Sequence, residues 1–182
     1  LIEISAMAGD NRLGGDDIDR AIVSCFCQEN ELVEEQLEPG LRASLYRQAE
    51  TAKIALSSAP AASIFLQQGE QRYSLLLTND LLRQLCGPVF QRVRAVITRA
   101  MKDRSRGGRL SDVILVGGSA QLTVFGDFLE GLFGRRPHVA AAPDEIVALG
   151  VGLCAGIKER AEELQDLVMT DVCPFSLGVS TY

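Results

Sequence analysis

The stretch Asp112-Val113-Ile114-Leu115-Val116-Gly117-Gly118-Ser119-Ala120-Gln121 restricts the architecture more than any other part of the chain. Residues 112–116 are apolar and β-branched enough to predict a buried parallel strand. Beyond it, Leu122, Phe125, Phe128, Leu129, Leu132 and Phe133 recur at helical spacing, so a helix is expected to start near Ser119-Ala120. A strand, two glycines and a helix N-terminus let a ligand touch bare backbone while unpaired N–H groups point at it. The same pattern serves as a tight strand-to-helix turn in any α/β protein, and alone it does not separate the two uses.

A length of 182 residues suits one domain or two small subdomains around a real core. The composition, 47% hydrophobic and 23% charged, is that of a folded chain. With a formal net charge of −6, and no basic cluster longer than the loop-like "RSRGGR" at 104–109, phosphate-backbone binding to nucleic acid is not expected. Five cysteines (Cys25, Cys27, Cys86, Cys154 and Cys173) are odd in number and contain no C-x-x-C pair, which argues against a disulfide framework or a zinc site and suits a reducing cytoplasm. Cys25 and Cys27 lie about 200° apart on their helix and cannot share a metal there. The longest apolar run, "IVALGVGLCAGI", is far short of the roughly 20 residues of a membrane span. The chain opens within a strand-like "LIEI" and lacks an initiator Met, as expected of an excised piece of a larger protein.

Along the chain, residues 1–7 read as a strand and 9–15 as a turn. Ile18, Ala21, Ile22, Cys25 and Phe26 form the apolar stripe of a first helix, with Asp16 and Asp17 in its first turn, where the helix dipole favours acid. A second helix is expected from Leu41 to about Leu56, then a hairpin of strands near 63–67 and 73–77 turning at "QGEQ". Thr78 or Asn79 should cap a long helix kinked at Gly87-Pro88. After the helix to Phe133 come a short edge near Val139 and a helix opened by Pro143 in its first turn. The tail from "ELQDLVM" onward reads as extended.

On the second helix, Leu41, Leu45, Ala52 and Leu56 cluster on one side, while Glu50, Lys53 and Ser57 (i, i+3, i+7) form a narrow polar stripe on another. Such a stripe suits a ligand wall, or equally a solvated face with a Glu50–Lys53 pair worth a few tenths of a kcal/mol. Gly150, Gly152 and Gly156 miss the dinucleotide spacing and follow a helical segment instead of a strand, so they read as small residues for close helix packing. His138, the single histidine, reads as a surface residue.

Taken in order, "GDNRLGGDDID" (9–19), "AETAKIALSS" (49–58), "DVILVGGSAQ" (112–121), "APDEIVALGVG" (142–152) and "DVCPFSLGV" (171–179) resemble the DnaK family of heat-shock chaperones over essentially the whole chain. The resemblance implies an α/β fold, half of an actin-like ATPase domain: residues 1–165 as the C-terminal lobe of a nucleotide-binding domain, and 166–182 as interdomain linker and start of a substrate-binding domain. Within the lobe, a sheet-and-helix base would carry an inserted helical and β-hairpin lobe at about 14–90, hinged near Gly14-Gly15 and Gly87-Pro88. The family's Gly-Gly turn approaches the sugar and phosphates of ATP or ADP, which carries over to Gly117, Gly118 and Ser119. Its Glu-x-x-Lys-x-x-x-Ser stripe grips the adenosine from the other side, which carries over to Glu50, Lys53 and Ser57, with Asp144 matching an acid near the adenine.

Departures from the family pattern fall at the site and in the linker; at the site, Ile54 stands right after the stripe Lys where some members carry a second Arg. Gln121 replaces an Arg whose guanidinium lies on the adenine in many members, an interaction worth roughly 0.5–2 kcal/mol, so weaker nucleotide binding is expected. The linker, normally all apolar, reads Leu167-Val168-Met169-Thr170 before Asp171. It is expected to couple nucleotide state to peptide binding as a docking strand, and to be mobile or held by another molecule in the isolated piece. The resemblance also implies ATPase activity in the whole chaperone, but the phosphate-binding loop, catalytic Lys and Mg²⁺-associated carboxylates belong to the other lobe. No residue here is therefore assigned as catalytic or metal-binding, and the lobe alone is expected to be inactive. Implied partners are unfolded peptide clients, a J-domain co-chaperone and a nucleotide exchange factor, with neither nucleic acid nor membrane. Two other classes fit the turn: an actin-like sugar or metabolite kinase, which should lack "LGGDDID" and "DVCPFSLG", and a non-hydrolysing chaperone-like regulator.

Overall fold

A computed structural model describes residues 2–103, 110–159 and 167–170. Its elements run β1 (Ile2–Glu3), α1 (Gly15–Glu29), α2 (Pro39–Ala55), β2 (Ala61–Gln68), β3 (Gln71–Thr78), α3 (Asn79–Leu85), α4 (Gly87–Asp103), β4 (Ile114–Leu115), α5 (Thr123–Phe133), β5 (His138–Val139), α6 (Ile146–Lys158) and β6 (Met169–Thr170).

The core lies where α1, α2, the β2–β3 hairpin and α3 meet. Helix α1 buries Ile18, Ile22, Val23 and Phe26, and α2 turns Leu45, Ala49, Ala52 and the following Leu56 toward them. Both sets recur at three- and four-residue spacing, the condition for one buried helical face. In the hairpin, Ile64 and Leu66 pair with Leu75 and Tyr73, and Leu77 with Ala62, so alternate residues fill the core while Phe65 and Leu76 face outward. Gly69, at φ +62°, takes the left-handed conformation that a two-residue hairpin turn demands.

Helix α2 begins at Pro39, two residues before the expected start, because a proline at the first helical position loses no hydrogen bond there. The long kinked helix expected from Thr78 onward is two helices. The Thr78 hydroxyl accepts the Leu81 N–H at 3.2 Å and caps α3. Pro88 has no N–H to continue that ladder, so the chain restarts as α4 with Pro88 in its first turn. Phe90 of α4 stacks on Phe128 of α5 (ring centroids 4.6 Å apart) beside Phe125, joining α4 to α5. Arg83 of α3 reaches Asp127 of α5 at 3.3 Å.

The strands outside the hairpin and the last helix depart most from expectation. The strand expected over 1–7 narrows to Ile2–Glu3, and that over 112–116 to Ile114–Leu115, parallel to His138–Val139 but with Ile114 67% exposed. A strand extends only as far as its ladder partners, and composition does not say where those lie. Helix α6 starts at Ile146, with Pro143 in the turn before it, and buries none of its residues fully. Side chains built at Gly150 and Gly152 would meet nothing within 4 Å, so these glycines do not mediate close packing. The extended tail is present as Met169–Thr170, parallel to Ile2–Glu3, with the Ile2 and Ile4 N–H groups donating to Val168 and Thr170 carbonyls at 2.8 Å. Val168, Met169 and Thr170 are thus held against the chain's own β1, with Leu167 just before them; Asp171 lies outside the described residues. No helix among the described residues is long and apolar enough to cross a membrane.

Candidate functional site

The loop from Gly9 to Gly14 sets where α1 begins. Arg92 of α4 donates to the Asp10 carboxylate and the Arg12 carbonyl, each at 2.8 Å, and to Asp17 at 3.1 Å, while Arg99 holds the Gly9 carbonyl at 2.6 Å. The Arg12 N–H, with Arg92 behind it, keeps the Asp10 carboxyl below its ordinary range. Burial pushes Asp17 upward, but the Gly14 N–H and the Arg20 guanidinium prevail and hold it low. Asp17 thereby closes the first turn, accepting the Gly14 N–H at 2.8 Å. Gly15, next in line, lines a cleft.

That cleft, about 650 Å³, separates the α1–α2 layer from the turn after β4. One wall carries Glu50, Lys53 and Ser57 with Ile54 and Ser58; the other carries Gly118, Ser119, Gln121 and Leu122, with Asp144 beside Gly118. The stripe and the turn, more than 60 residues apart in sequence, therefore face each other. Gly117 does not line the space. It makes the turn at φ +85°, a conformation costly for any residue with a Cβ, and its N–H is tied to the Pro143 carbonyl at 2.7 Å, which brings Asp144 beside Gly118. Residues 118–121 form a 3₁₀ turn, and α5 starts at Thr123, later than the sequence suggested.

Two glycines keep the cleft open. A Cβ on Gly118 would lie 3.2 Å from Asp144 Oδ1; one on Gly15 would lie 3.2 Å from Lys53 Nζ and 3.3 Å from Ser119 Oγ. Gly15 is thus the point where both walls converge. Gln121 Nε2 reaches Asp144 Oδ2 at 3.4 Å, and Ile54, 60% exposed, is an apolar surface on the opposite wall.

Lys53 does not pair with Glu50, the local partner its spacing offered. It is buried, 7% exposed, and its Nζ stands 2.8 Å from both carboxylate oxygens of Asp19, itself 7% exposed, and 3.4 Å from the Gly15 carbonyl. Burial pushes the Asp19 carboxyl up, against the opposing pull of Lys53. Burial likewise pushes the nearby Cys86 thiol up to about 11, so it stays protonated and inert at neutral pH.

Asp19 was missed by sequence reasoning, although a signal existed: it falls three, four and seven residues before Ile22, Val23 and Phe26, an acid on the buried stripe of α1. With Lys53 neutralised by Asp19, the remaining charged groups on the lining are the acids Asp16, Glu50 and Asp144. Such a surface offers acceptors for hydroxyl and amino groups and does not by itself attract a phosphate chain. Leu167, Val168 and Met169 are not part of the lining. Among the described residues, no cluster of three His, Cys, Asp or Glu side chains is arranged to hold a metal ion. His138 is exposed and 3.6 Å from Asp112.

The chain matches the family model described as "Hsp70 protein" over residues 1–182. It is 34% identical over 191 aligned positions to the "Chaperone protein dnaK" of Thalassiosira pseudonana, and 32% over 194 to that of Phaeodactylum tricornutum; each alignment takes in 100% of this chain and 31% of the relative. Against the "Heat shock 70 kDa protein 7, chloroplastic" of Arabidopsis thaliana the identity is 31%, again over 100% of the chain but 26% of the relative. The chain thus spans less than a third of the length of these relatives. A match over every residue, with the Gly-Gly turn and the polar stripe in their expected order, makes this chain a member of the DnaK-type Hsp70 family.

Proposed function

We propose that this chain is the C-terminal lobe (residues 1–165) of the nucleotide-binding domain of an ATP-driven chaperone, and that its cleft holds the adenosine side of ATP or ADP. The observation that carries the reading is the opposition of Glu50, Lys53 and Ser57 to Gly118 and Ser119 across one open cleft. Its fit to a nucleoside is chemical as well as geometric. Glu50 and Asp144 accept from hydroxyl and amino groups, Lys53 and Ser57 donate, Ile54 offers an apolar face to a flat base, and glycines at 15 and 118 leave room against backbone. Mg²⁺ and the charge that neutralises the phosphates belong, on this reading, to the family's other lobe, where the ATPase chemistry is also placed.

The pairing of Met169–Thr170 with Ile2–Glu3 supports a linker role for residues 166–182, a short strand that docks on the chain's own β1 and could pass nucleotide state to a peptide-binding domain. Peptide clients, a J-domain co-chaperone and an exchange factor that swings the inserted lobe (14–90) are the partners this proposal entails, and the cytoplasm is the compartment.

The test is titration of the full-length protein with ADP by calorimetry, where measurable binding is expected and its absence would remove the reading. Gln121→Arg supplies a guanidinium to lie on the base, and should tighten ADP by about 0.5–2 kcal/mol. An unchanged or weaker affinity would show that position 121 does not reach the base.

A further inference from the structure

We infer that Asp19 is a positioning residue for the nucleotide: its buried carboxylate fixes the Lys53 ammonium in the cleft wall, so that Lys53 presents a hydrogen-bond donor without net charge to the ribose hydroxyls. This rests on the nucleotide reading of the cleft and adds to it a residue outside the lining.

The geometry is specific. An ammonium has three N–H donors. One of Lys53's is committed to Asp19 Oδ2 at 2.8 Å and a second leans on the Gly15 carbonyl at 3.4 Å, which leaves the third for the cleft that Lys53 lines. Asp19 Oδ1 lies equally near the nitrogen yet has no aligned hydrogen bond, so among the described residues Lys53 is the group that compensates this buried carboxylate. The two groups sit on different helices, 34 residues apart, and lock α1 to α2 beside Gly15, where the two walls converge.

What Asp19 prevents is equally clear. Asp16 and Glu50 line the same cleft and bear negative charge toward this pair, while Cys86 faces it from the end of α3 as a neutral thiol. Lysine's stem has four rotatable bonds, and without Asp19 the ammonium would turn to those cleft acids. Held in place, it forms with Glu50 a donor and an acceptor one helical turn apart, a pair that suits the vicinal hydroxyls of ribose. A phosphate would meet an ammonium already neutralised and an adjacent carboxylate.

The experiment compares ADP with 2′,3′-dideoxy-ADP on the full-length wild type, Asp19→Asn and Asp19→Glu, with affinities from calorimetry. A charge-assisted hydrogen bond to ribose predicts that the wild type binds the dideoxy probe at least about tenfold more weakly than ADP. In Asp19→Asn that ratio should collapse to within about threefold, because the ammonium no longer reaches the sugar. Asp19→Glu keeps the charge but moves it by one methylene, and should give an intermediate ratio. If Asp19→Asn weakened both probes by one common factor, leaving the wild-type ratio intact, Asp19 would be a structural residue only and the inference would fall. Should Asp19→Asn not fold, Asp19→Glu decides: a ratio equal to wild type overturns the proposal. A wild type that bound neither probe would instead overturn the nucleotide reading itself, and one that bound both alike would overturn the ribose assignment of Lys53.

Discussion

Lys53→Met is expected to destabilise the protein by about 3–5 kcal/mol at neutral pH, the cost of leaving one half of a buried ion pair without its partner. Methionine matches the length of the lysine stem, so packing against the core changes little. The cost arises because Asp19, 7% exposed, must then either hold its charge with no counter-ion or take up a proton at neutral pH, with one oxygen already lacking an aligned donor. The contrast is with the solvated pair of Arg83 and Asp80 on α3, whose loss should cost about 1 kcal/mol or less. Thermal and denaturant melts of the two variants check this; comparable small losses would mean that Lys53 and Asp19 are better hydrated than their burial indicates.

The same variant carries a pH signature with a definite sign. Burial raises the Asp19 carboxyl in the folded protein, and the hydrogen bond and charge of Lys53 are the influences that lower it. Deleting Lys53 removes that opposition. A carboxyl raised on folding binds its proton more tightly in the native state, so its contribution to stability is complete below the unfolded value of about 4 and is lost as pH rises through the higher folded value. The deficit of Lys53→Met relative to wild type should therefore shrink on acidification toward pH 4 and widen toward neutrality. Pairing Lys53→Met with Asp19→Leu removes both charges and should flatten the profile, since an apolar replacement of a buried pair is often neutral in stability.

What the sequence conveyed, and what it withheld, follows the range of the interactions involved. Helices α1 and α2 and the hairpin were legible because their burial repeats at 3.6 or 2 residues and each core position announces itself locally. The polar stripe was legible as geometry for the same reason: i, i+3 and i+7 share a face whatever lies opposite. Its partner was not. Lys53 had Glu50 as a plausible neighbour one turn away, and only tertiary packing brings up Asp19 from another helix. The strands outside the hairpin were misjudged in length because β4 and β1 exist only where β5 and β6 offer a ladder, a fact no window of their own residues contains. Gly117 and Gly118 looked alike in the sequence and differ in role, one making the turn through a positive φ and the other lining the cleft.

That difference gives the second large effect. Gly118→Val should weaken ADP binding at least about 100-fold, because its branched methyls extend into the space where ligand would meet backbone, and steric exclusion of this kind removes several contacts at once. The fold should tolerate the change. Gly118 is not at positive φ, and a Cβ there meets only the end of the Asp144 side chain, at 3.2 Å, which can rotate away into the open cleft. Gly117→Val supplies the contrast: its Cβ would meet nothing within 4 Å, but φ +85° is closed to a β-branched residue, so strain of about 1–3 kcal/mol should appear in the melt instead. Calorimetric titration with ADP and a thermal melt on each full-length variant separate the two outcomes. Binding loss without a shift in melting for Gly118→Val, against a shifted melt for Gly117→Val, is the expected pattern. Normal ADP affinity in folded Gly118→Val would show that the ligand approaches some other surface and would detach the Gly-Gly turn from the site.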